Sequence, residues 1–593
     1  VTDSTGCFHL PVHKGEFLLC IRTLGYKEIK KNITITGPTA IPNIYLEPDE
    51  ISLQDVVVTA RKSRPMTTSS NGKIHINVAQ SYLTDIGNAL EVLKHSPGVS
   101  VNNKGEISLA SLGGTAIYVN GRKVMLQGDE LSTYLRSMSS EKISQIEISH
   151  NPNASFGSEG AGGVINIILK TSETSGFFVT TSHSVCYWEN LKQNSDFAIS
   201  YNTNKWQLGL NYNHSLGHHS MDYGYEKVQN GDKNISETTD TDKRNTYSAG
   251  IDFSWQPNQK NKLFMNSTVN VLVGPGETET TTEIYQGTNL LDNILKARNN
   301  YIEQKNLQYS NNVNYQYRPS SKMQFSFSAD WTHFDGNARC EQPNEYFSAT
   351  NMPIRSDLFY SEPDKDIDIY ALLADYKYNP NAQNEILAGV KTTLINSDNT
   401  FLFKKNGAVD TQRSNNFYYE EKNLEAYAQY THTWNKIELS AGLRMEYMHT
   451  YNRLKSQTNQ DSETNKQSHF RLFPNLSASY TINEKSKIAL LYSRRQDKPR
   501  YEDLNPFEYL LDELTYWKGN PFLEPQISNK IMLSYTLGNL SLNLYYNKLS
   551  DYFTSITDVY GENKTVMTTK NIGKQQQIGL DAIFSKRVAS WWQ

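Results

Sequence analysis

The stretch FGSEGAGGVINIILK, residues 156–170, sets a run of glycines in front of a short apolar segment. Glycine takes φ > 0 at little cost and lets backbones approach closely, so this run indicates a sharp turn against a neighbouring surface. The glycines are Gly157, Gly160, Gly162 and Gly163. The apolar segment that follows them predicts a packed strand. Because a glycine turn in any α/β domain would have the same local shape, the flanking sequence must decide the fold.

Downstream of residue 175, apolar and polar residues alternate over runs of ten or more residues. In KIELSAGLRMEY, residues 436–447, the apolar positions are Ile437, Leu439, Ala441, Leu443, Met445 and Tyr447. The run MQFSFSADWTHF, residues 323–334, alternates in the same way. Strands of globular sheets average about five or six residues, whereas a tilted strand needs about 9–11 residues to cross a bilayer. The lengths therefore favour membrane-spanning strands.

Short polar turns recur along the same region, and each interval between them holds two long strands and one polar loop of variable length. The turns centre near residues 203, 259, 320, 381, 435, 485, 538 and 586. Short turns at one end of the strands and longer loops at the other are typical of an outer-membrane barrel. A soluble β-sandwich, the alternative, would show shorter strands with turns about every 8–12 residues. The predicted fold is therefore mainly β, with a transmembrane antiparallel β-barrel.

The composition of the 593-residue chain is compatible with this barrel. Mean hydropathy is -0.61. No segment approaches about 18 consecutive apolar residues, so no transmembrane helix is predicted. Barrel strands alternate and score poorly on hydropathy, so the low mean does not argue against them. The net charge of -4, without a basic block, argues against a nucleic-acid partner.

The sequence contains no GxSxG, HExxH or P-loop motif, so no catalytic residue and no cofactor is predicted. No metal site is predicted either, although two groups of ligand-type residues remain as alternatives. One is a histidine-rich stretch with an aspartate: His214, His218, His219 and Asp222. The other is acidic: Glu277, Glu279 and Glu283. The simpler interpretation of both groups is a solvated loop.

Residues 66–170 have a mixed α/β pattern. Asp85 and Asp129 are each placed to cap a short amphipathic helix. The sequence VNGR predicts a hairpin turn over Asn120 and Gly121, because Asn-Gly is the strongest short hairpin signal. This region therefore differs in class from the alternating strands that follow it.

Residues 1–48 read as a small β unit in front of this region. TDSTGCFHL, residues 2–10, resembles the start of the carboxypeptidase-regulatory-like β-sandwich, and the pattern ends at Pro48. Cys7 and Cys20 flank a possible hairpin. They could pair, but small buried thiols are the simpler interpretation. Neither interpretation carries catalysis.

Together these pieces resemble the TonB-dependent outer-membrane receptors, and in particular their Bacteroidetes-type branch. The plug signature rests on ALEVLKHSPGVSV (residues 89–101), AIYVNGRKV (116–124) and ISQIEISHNPNASFGSEGAGGVINIILK (143–170). NPFLEP, residues 520–525, resembles a motif of the later barrel. Many members read IExxRGP before the glycines, whereas this chain reads IEISHNP and has His150 near that position. The absent arginine leaves the fold prediction intact but puts any role of that arginine in doubt.

The resemblance implies four parts along the chain. They are a carboxypeptidase-regulatory-like β-sandwich (1–48), a TonB box and linker (49–65), an α/β plug domain (66–170) and an outer-membrane β-barrel (171–593). A complete barrel of this kind has about 22 strands. We expect about 16 of them here, in a chain cut at both ends, with about 150 further barrel residues beyond it.

The segment DVVVTA resembles a TonB box. Composition alone would make it an ordinary edge strand, whereas the resemblance makes it a strand that TonB pairs with through main-chain hydrogen bonds. The predicted TonB-binding residues are Asp55, Val56, Val57, Val58, Thr59 and Ala60. The predicted structural motif of the plug comprises Asn120, Gly121, Asn151, Pro152, Gly157, Gly160, Gly162, Gly163 and Asn166. We expect this motif to shape the plug and assign it no chemistry.

The function implied by the resemblance is import of a scarce nutrient (siderophore, glycan, peptide or vitamin) across the bacterial outer membrane, driven by the inner-membrane proton gradient. The N-terminal domain would lie in the periplasm. The expected partners are TonB, outer-membrane lipid and a small or oligomeric nutrient, with a surface lipoprotein as a further candidate. The alternative is a surface binding or adhesion barrel without energised transport, in which the plug is only a stopper.

Overall fold

The structure is a computed structural model that describes residues 7–21, 29–47, 67–70, 72–102, 105–109, 114–126, 128–170, 175–229, 231–243, 245–287, 290–456, 462–560 and 564–586. The chain divides into two compact units, Val1–Arg64 and Pro65–Gln593. The predicted TonB-binding residues, 55–60, lie outside the described residues.

The first unit contains a two-stranded antiparallel hairpin made of β1 (Gly15–Ile21) and β2 (Ile29–Ile35). Most of its side chains are exposed, because a two-stranded ribbon covers neither of its own faces. Cys7 and Cys20 are both exposed, so the prediction that they are small buried thiols is wrong. The carboxypeptidase-like β-sandwich stays a prediction.

The second unit begins with a small α/β domain, here called the plug (residues 67–170). Its strands are β3 (Thr67–Ser70), β4 (Lys73–Asn77), β5 (Val99–Val101), β6 (Ile107–Leu109), β7 (Thr115–Val119), β8 (Arg122–Lys123), β9 (Ile143–Ser149) and β10 (Gly163–Leu169). Its helices are α1 (Ala89–Lys94), α2 (Gly128–Ser137) and two 3₁₀ helices, Tyr82–Asp85 and Ser140–Lys142. Six strands form one sheet in the order β3-β4-β9-β10-β7-β8, and β10 is parallel to β7 but antiparallel to β9.

The apolar core of the plug lies between this sheet and its helices. Ile76, Ile146 and Ile165 project from the sheet onto Leu90 of α1 and Leu135 of α2, and all five side chains are fully buried. Burying such a side chain contributes about 1.5–3 kcal/mol, so this cluster stabilises the plug chiefly through the plug's own residues.

The two helices of the plug begin elsewhere than predicted. The N-cap of α1 is Asn88, whose side-chain oxygen accepts a hydrogen bond of 3.1 Å from the amide of Glu91. Asp85 lies in the preceding 3₁₀ helix, so its predicted capping role is wrong. Likewise α2 begins at Gly128, which puts Asp129 inside the first turn. No helix in the described part of the chain is both long and apolar enough to cross a membrane.

The rest of the second unit is one sheet of 21 strands, β11 to β31, whose neighbours follow the chain order. The strands are β11 (Gly176–Trp188), β12 (Asn190–Asn202), β13 (Trp206–Gln229), β14 (Asp232–Lys243), β15 (Asn245–Asn258), β16 (Asn261–Val273), β17 (Gly276–Gln286), β18 (Leu290–Ser320), β19 (Met323–Ser348), β20 (Pro353–Asn381), β21 (Asn384–Lys405), β22 (Ala408–Val409), β23 (Asn415–Trp434), β24 (Ile437–Ser456), β25 (Glu463–Asn483), β26 (Ser486–Asp497), β27 (Glu508–Leu510), β28 (Thr515–Lys518), β29 (Gln526–Leu537), β30 (Leu540–Tyr560) and β31 (Lys564–Phe584). A further helix, α3, spans Tyr501–Leu504.

The turns predicted near residues 203, 259, 320, 381, 435, 485 and 538 each connect two antiparallel neighbours, which confirms them. Many of the strands exceed 20 residues, which is more than a tilted strand needs to cross a bilayer. The number of strands in a complete barrel stays a prediction.

Alternation sorts the side chains onto two faces of this sheet. On β24, Leu439, Leu443 and Met445 face outward and are 40–42% exposed. Arg444 and Glu446 lie between them on the inner face and are each 3% exposed. An apolar outer face over a polar interior is the pattern of a barrel that contacts lipid. The predicted fold class, a membrane β-barrel with an α/β plug, is confirmed.

Between β26 and β29 the chain forms a long connection, here called the inward loop (residues 498–525). The carbonyl of its Leu514 accepts a hydrogen bond of 2.7 Å from the amide of Thr565 in β31. The carbonyl of Leu511 accepts one of 2.8 Å from the side chain of Gln342 in β19. β19 and β31 are far apart in the sheet order, yet both contact this loop. The loop therefore lies on the inner side of the rolled sheet.

Candidate functional site at the plug–barrel contact

The glycine stretch before β10 runs where a side chain would not fit. Gly160 has φ +96° and Gly163 has φ +141°, both in the region that L-residues avoid. A Cβ atom on Gly160 would lie 2.5 Å from the carbonyl oxygen of Gly163. A Cβ atom on Gly163 would lie 2.5 Å from the carbonyl oxygen of Ser149. At these two positions, therefore, conformation and space both require glycine.

The same stretch pairs with the barrel wall through its main chain. Glu159 and Gln496 of β26 form a parallel bridge. The amide of Gly160 donates to the carbonyl of Gln496 (3.0 Å), and the amide of Gln496 donates to the carbonyl of Ser158 (2.9 Å). On this side β26 pairs with β25 only as far as Ser493. The plug therefore occupies the edge of β26 that β25 leaves open.

Cationic side chains of the barrel bind carbonyl oxygens of the glycine stretch. Arg495 donates from Nε to the carbonyl of Gly160 (2.8 Å) and from Nη2 to the carbonyl of Gly157 (2.6 Å). Lys530 donates from Nζ to the carbonyl of Gly162 (2.9 Å). A carbonyl in a turn has no partner from regular secondary structure and costs free energy if it is buried alone. The barrel thus satisfies the polar backbone that the glycine turn exposes.

The Asn-Pro segment ahead of the glycines is held in a similar way. Nδ2 of Asn475 donates both to the side-chain oxygen of Asn151 (2.8 Å) and to the carbonyl of Pro152 (2.7 Å). Nη2 of Arg444 donates to the carbonyl of Ala154 (2.7 Å). These bonds join the plug to β25 and β24, next to the strand that binds the glycine stretch.

The predicted hairpin residues lie together at the other end of β10. Asn120 and Gly121 form the turn between β7 and β8, and both have positive φ. The amide of Gly121 donates to the side-chain oxygen of Asn166 (2.8 Å), and the amide of Leu169 donates to that of Asn120 (2.9 Å). The structure thus divides the predicted plug motif into this hairpin group and a barrel-contact group. The barrel-contact group is Asn151, Pro152, Gly157, Gly160 and Gly162, whereas Gly163 opens β10 and has its neighbours within the plug.

A buried group of charges, which sequence reasoning missed, connects the plug to the barrel and the inward loop. Glu159 of the plug pairs with Lys123 and with Lys498, whose Nζ lies 3.5 Å from the Glu159 carboxylate. Lys498 also lies 2.6 Å from a carboxylate oxygen of Glu421 and 3.6 Å from one of Glu446. Opposite charges from three parts of the unit therefore meet in one place.

A second buried ion pair lies beside this group. Arg444 donates to Glu425, and the two side chains are 3% and 5% exposed. Nζ of Lys391 lies 3.7 Å from the same Glu425 carboxylate. The sequence did contain a signal for two carboxylates on one face of a strand, because Glu421 and Glu425 are four residues apart on β23. The partners could not have been identified, since they come from distant parts of the chain.

The charges around Glu159 set its protonation. Burial by itself would raise the pKa of the Glu159 carboxyl, but Lys123 and Lys498 outweigh burial and hold that pKa well below its usual range. For Lys498, burial would lower the ammonium pKa, but Glu421, Glu159 and Glu446 raise it well above its ordinary value. Both groups are therefore charged at neutral pH and bind the plug to the inward loop electrostatically.

His150 is buried where many family members have the arginine. Burial and, to a smaller extent, the nearby charge of Lys530 lower the pKa of its imidazole to about 3, against a hydrogen bond to Gly162 that raises it. Its Nδ1 has no hydrogen-bond partner among the described residues. The side chain is therefore neutral at physiological pH and does not take over the charge of an arginine.

We expect acidification to destabilise the docked plug through His150. The imidazole has an ordinary pKa of about 6.5 when unfolded and about 3 when folded. Between these two pH values the imidazole is protonated in the unfolded chain but not in the folded one. The free energy of unfolding therefore falls as the pH drops below about 6.5, by up to about 1.4 kcal/mol per pH unit. Urea unfolding of the plug at pH 7.5, 6 and 5 would measure this slope.

The variant His150→Gln should remove that part of the slope, because glutamine does not titrate in this range. His95→Gln is the matched control, since His95 is an exposed histidine of the same domain. An unchanged slope in His150→Gln would show that another group governs the pH dependence.

Two cavities of about 50 Å³ each lie between the plug and the inward loop. Lys123 and Lys498 line the first cavity, and Tyr501 of α3 lines both. Thr393 in the first and Asn399 in the second are buried and carry a side-chain oxygen without a partner among the described residues. A site for a drug-sized ligand needs about 300 Å³ or more. Neither cavity as it stands holds a ligand of that size.

The two groups of metal-ligand type noted in the sequence do not form sites. Of the described residues, the group with ligand atoms close enough for a metal is His333, Asp366 and Asp368, all within 4.8 Å of one another. The histidine-rich candidates lie along β13 and form no such group: His214, His218, His219 and Asp222. In the acidic candidate, Arg298 pairs with Glu277 at 2.5 Å and supplies the counter-charge.

The fold and the plug–barrel contact together define the class of protein. The second unit is a membrane β-barrel whose interior is filled by a folded plug, and the plug is bound to the wall by backbone pairing and buried charges.

Comparison with known proteins agrees with this class. Residues 319–593 match the outer membrane protein beta-barrel family. Over 137 residues the chain is 34% identical to the vitamin B12 transporter BtuB of Vibrio vulnificus (strain YJ016), a match that covers 21% of this chain and 22% of that protein. The chain thus spans about a fifth of the length of this curated relative.

Solved structures share the fold over most of the chain. The ferric yersiniabactin uptake receptor FyuA of Yersinia pestis is 12% identical, with a TM-score of 0.55, over 88% of this chain and 77% of that one. The siderophore receptor PirA of Pseudomonas aeruginosa is 15% identical, with a TM-score of 0.55, over 87% and 82%. The fold and the matches together describe an outer-membrane β-barrel with a folded plug inside it. The matched proteins are receptors and transporters, not enzymes.

Proposed function

We propose that this protein imports a scarce nutrient across the outer membrane, and that TonB drives the import by pulling on residues 55–60. The observation that carries the proposal is the chemistry of the plug–barrel contact. The contacts described above between plug and barrel are hydrogen bonds and ion pairs, whereas the apolar core of the plug is made almost wholly by the plug itself.

Such a contact suits a plug that moves. Moving apolar surface away from its partner exposes it to water and costs about 25 cal/mol per Å². A polar contact can instead exchange its hydrogen bonds for bonds to water, so each bond contributes only about 0.5–1.5 kcal/mol net. Ile583 is the barrel residue that packs on the plug core. A modest force can therefore shift the folded plug without unfolding it.

The strand order of the plug sheet indicates where a pulling force would act first. β3 is the edge strand of the six-stranded sheet, and it pairs with β4 over the short register from Thr67↔Ile76 to Ser70↔Lys73. Of the strands that the structure describes, it is also the first after the proposed TonB-binding residues. A pull from the periplasm would thus act first on an edge strand held by one neighbour.

The proposed partners follow from this function. TonB would add a strand to residues 55–60, and lipid would cover the apolar outer face of the barrel. The matched proteins are named for vitamin B12 or ferric siderophores, and we propose a nutrient of comparable scarcity here. A surface lipoprotein stays a further candidate partner.

Deleting residues 55–60 should abolish energised uptake and leave ligand binding unchanged, because the plug–barrel contacts described above are made by other residues. The test uses a strain that lacks the full-length gene, grown on iron chelates, glycans, peptides and cobalamins. The strain is complemented with the intact gene or with the deletion variant, and both proteins are quantified in outer membranes.

A point variant sharpens this test. Val57→Pro removes one backbone donor from the proposed strand and should also block uptake, whereas Val57→Ile keeps the donor and should not. Equal rescue by the intact and deleted genes would contradict energised transport. The passive binding or adhesion barrel would then become the better interpretation.

A further inference from the structure

The inward loop covers an aromatic surface inside the barrel. Phe359, Phe401, Phe403 and Phe417 project inward from β20, β21 and β23 and are each 1–2% exposed. Phe507 of the loop is fully buried among them, and its ring stacks on Phe401 with 4.9 Å between the centroids and 19° between the planes. Barrel interiors are usually polar, so four neighbouring phenylalanines on the inner wall need an explanation.

Cationic side chains surround this aromatic surface. Arg413 lies over the ring of Phe403 at 5.0 Å, and Lys405 lies over the ring of Phe359 at 5.2 Å. Arg355 lies 4.0 Å from the centre of a neighbouring tyrosine ring. The wall thus combines stacking surfaces with positive charges at their rim.

The loop satisfies these cations with carboxylates. Nε of Arg413 lies 3.0 Å from a carboxylate oxygen of Glu508. Nη2 of Arg355 lies 2.8 Å from Glu513, and Nζ of Lys405 lies 3.6 Å from the same carboxylate. The loop therefore presents one ring and two negative charges to these rings and cations. Two carboxylates outside the loop share the cations, because Asp357 pairs with Arg355 and Lys405, and Asp410 pairs with Arg413.

We propose that the inward loop is a built-in placeholder, and that the wall beneath it binds an aromatic anion. The nutrient would carry aromatic rings and carboxylate or comparable anionic groups, and it would displace Phe507, Glu508 and Glu513. This inference rests on the proposed function only in taking that ligand to be the imported nutrient. Rings would stack on the phenylalanines, and the anionic groups would take over the bonds to the arginines.

A placeholder lowers the apparent affinity, because only the fraction of molecules with a displaced loop can bind. Weakening the hold of the loop should therefore strengthen binding, which is the opposite of the effect of removing a ligand-contacting residue. This reversal separates a placeholder from a loop that only stabilises the barrel.

The test measures equilibrium binding to the purified full-length receptor by calorimetry. The aromatic anions are the ferric complex of 2,3-dihydroxybenzoate and a peptide with the sequence of residues 505–513, NPFEYLLDE. The comparison ligands are ferric citrate, an anion without rings, and maltoheptaose, a neutral oligosaccharide. The loop-release variant combines Phe507→Ser with Glu508→Gln, and Glu508→Gln alone serves if the double variant does not fold.

We expect the loop-release variant to bind an aromatic anion about tenfold more tightly than the unaltered receptor, which corresponds to the loss of one charged contact and one ring stack. Arg413→Gln should weaken that binding. Lys404→Gln is the matched control, because Lys404 lies over Tyr360 on the opposite face of the sheet and binding should not change.

Failure of both aromatic anions to bind the loop-release variant would overturn the proposal, and so would tighter binding of ferric citrate or maltoheptaose. The assay contains no TonB and no proton gradient. If uptake proved not to be energised while this binding pattern held, the proposed function would fail and the ligand class would stand.

Discussion

Replacing Gly160 with alanine should release the plug from the barrel wall. The backbone at Gly160 has φ +96°, which costs an alanine about 1–3 kcal/mol. The new Cβ would also lie 2.5 Å from the carbonyl of Gly163 and 2.9 Å from the amide nitrogen of Ala116. The backbone must then move and lose its bonds to Gln496 and Arg495, at about 1 kcal/mol each. We expect a total loss of about 3 kcal/mol or more.

Conductance in planar lipid bilayers would measure this effect in the full-length receptor. The unaltered receptor should remain closed, whereas Gly160→Ala should open a large conductance as the plug leaves the wall. Gly157→Ala is the matched control in the same stretch, because Gly157 has no positive φ and its nearest neighbour, the Tyr118 hydroxyl, is 3.3 Å from the added atom. If the two variants conducted alike, strain at Gly160 would not be what holds the plug.

Removing the charge of Arg444 should weaken plug docking by about 3–5 kcal/mol, the usual effect of breaking a buried ion pair. The variant Arg444→Met leaves Glu425 buried, with Lys391 at 3.7 Å as its ion-pair partner among the described residues, and it also removes the donors to the carbonyl of Ala154. Trypsin cleavage of the plug across a urea series would report the loss, since an undocked plug is accessible to the protease.

A double variant distinguishes the ion pair from a general effect on folding. Adding Glu425→Gln to Arg444→Met removes the uncompensated carboxylate and should recover part of the lost stability. Arg444→Lys keeps the charge but not the forked geometry, and it should be intermediate. Additive losses in the double variant would mean that the two side chains do not interact as a pair.

Local patterns in the sequence sufficed for much of the fold. Alternation over residues 436–447 indicated which side chains of β24 face lipid, because neighbouring residues of a strand point to opposite faces. Asn120 and Gly121 indicated the β7–β8 turn, because both must adopt positive φ. The helix caps were less predictable, since Asp85, Asn88 and Asp129 are all acceptable caps and only packing selects among them.

The sequence by itself determined the class of this protein: a glycine turn that opens a strand, followed by long alternating strands with short turns, is sufficient for a plugged barrel. The tertiary structure alone decided what the plug touches. Glu159 meets Lys498, and Arg444 meets the carbonyl of Ala154, across about 300 residues of chain. Strand periodicity shows that such side chains point inward, but only the closure of the sheet around the plug decides which charges meet.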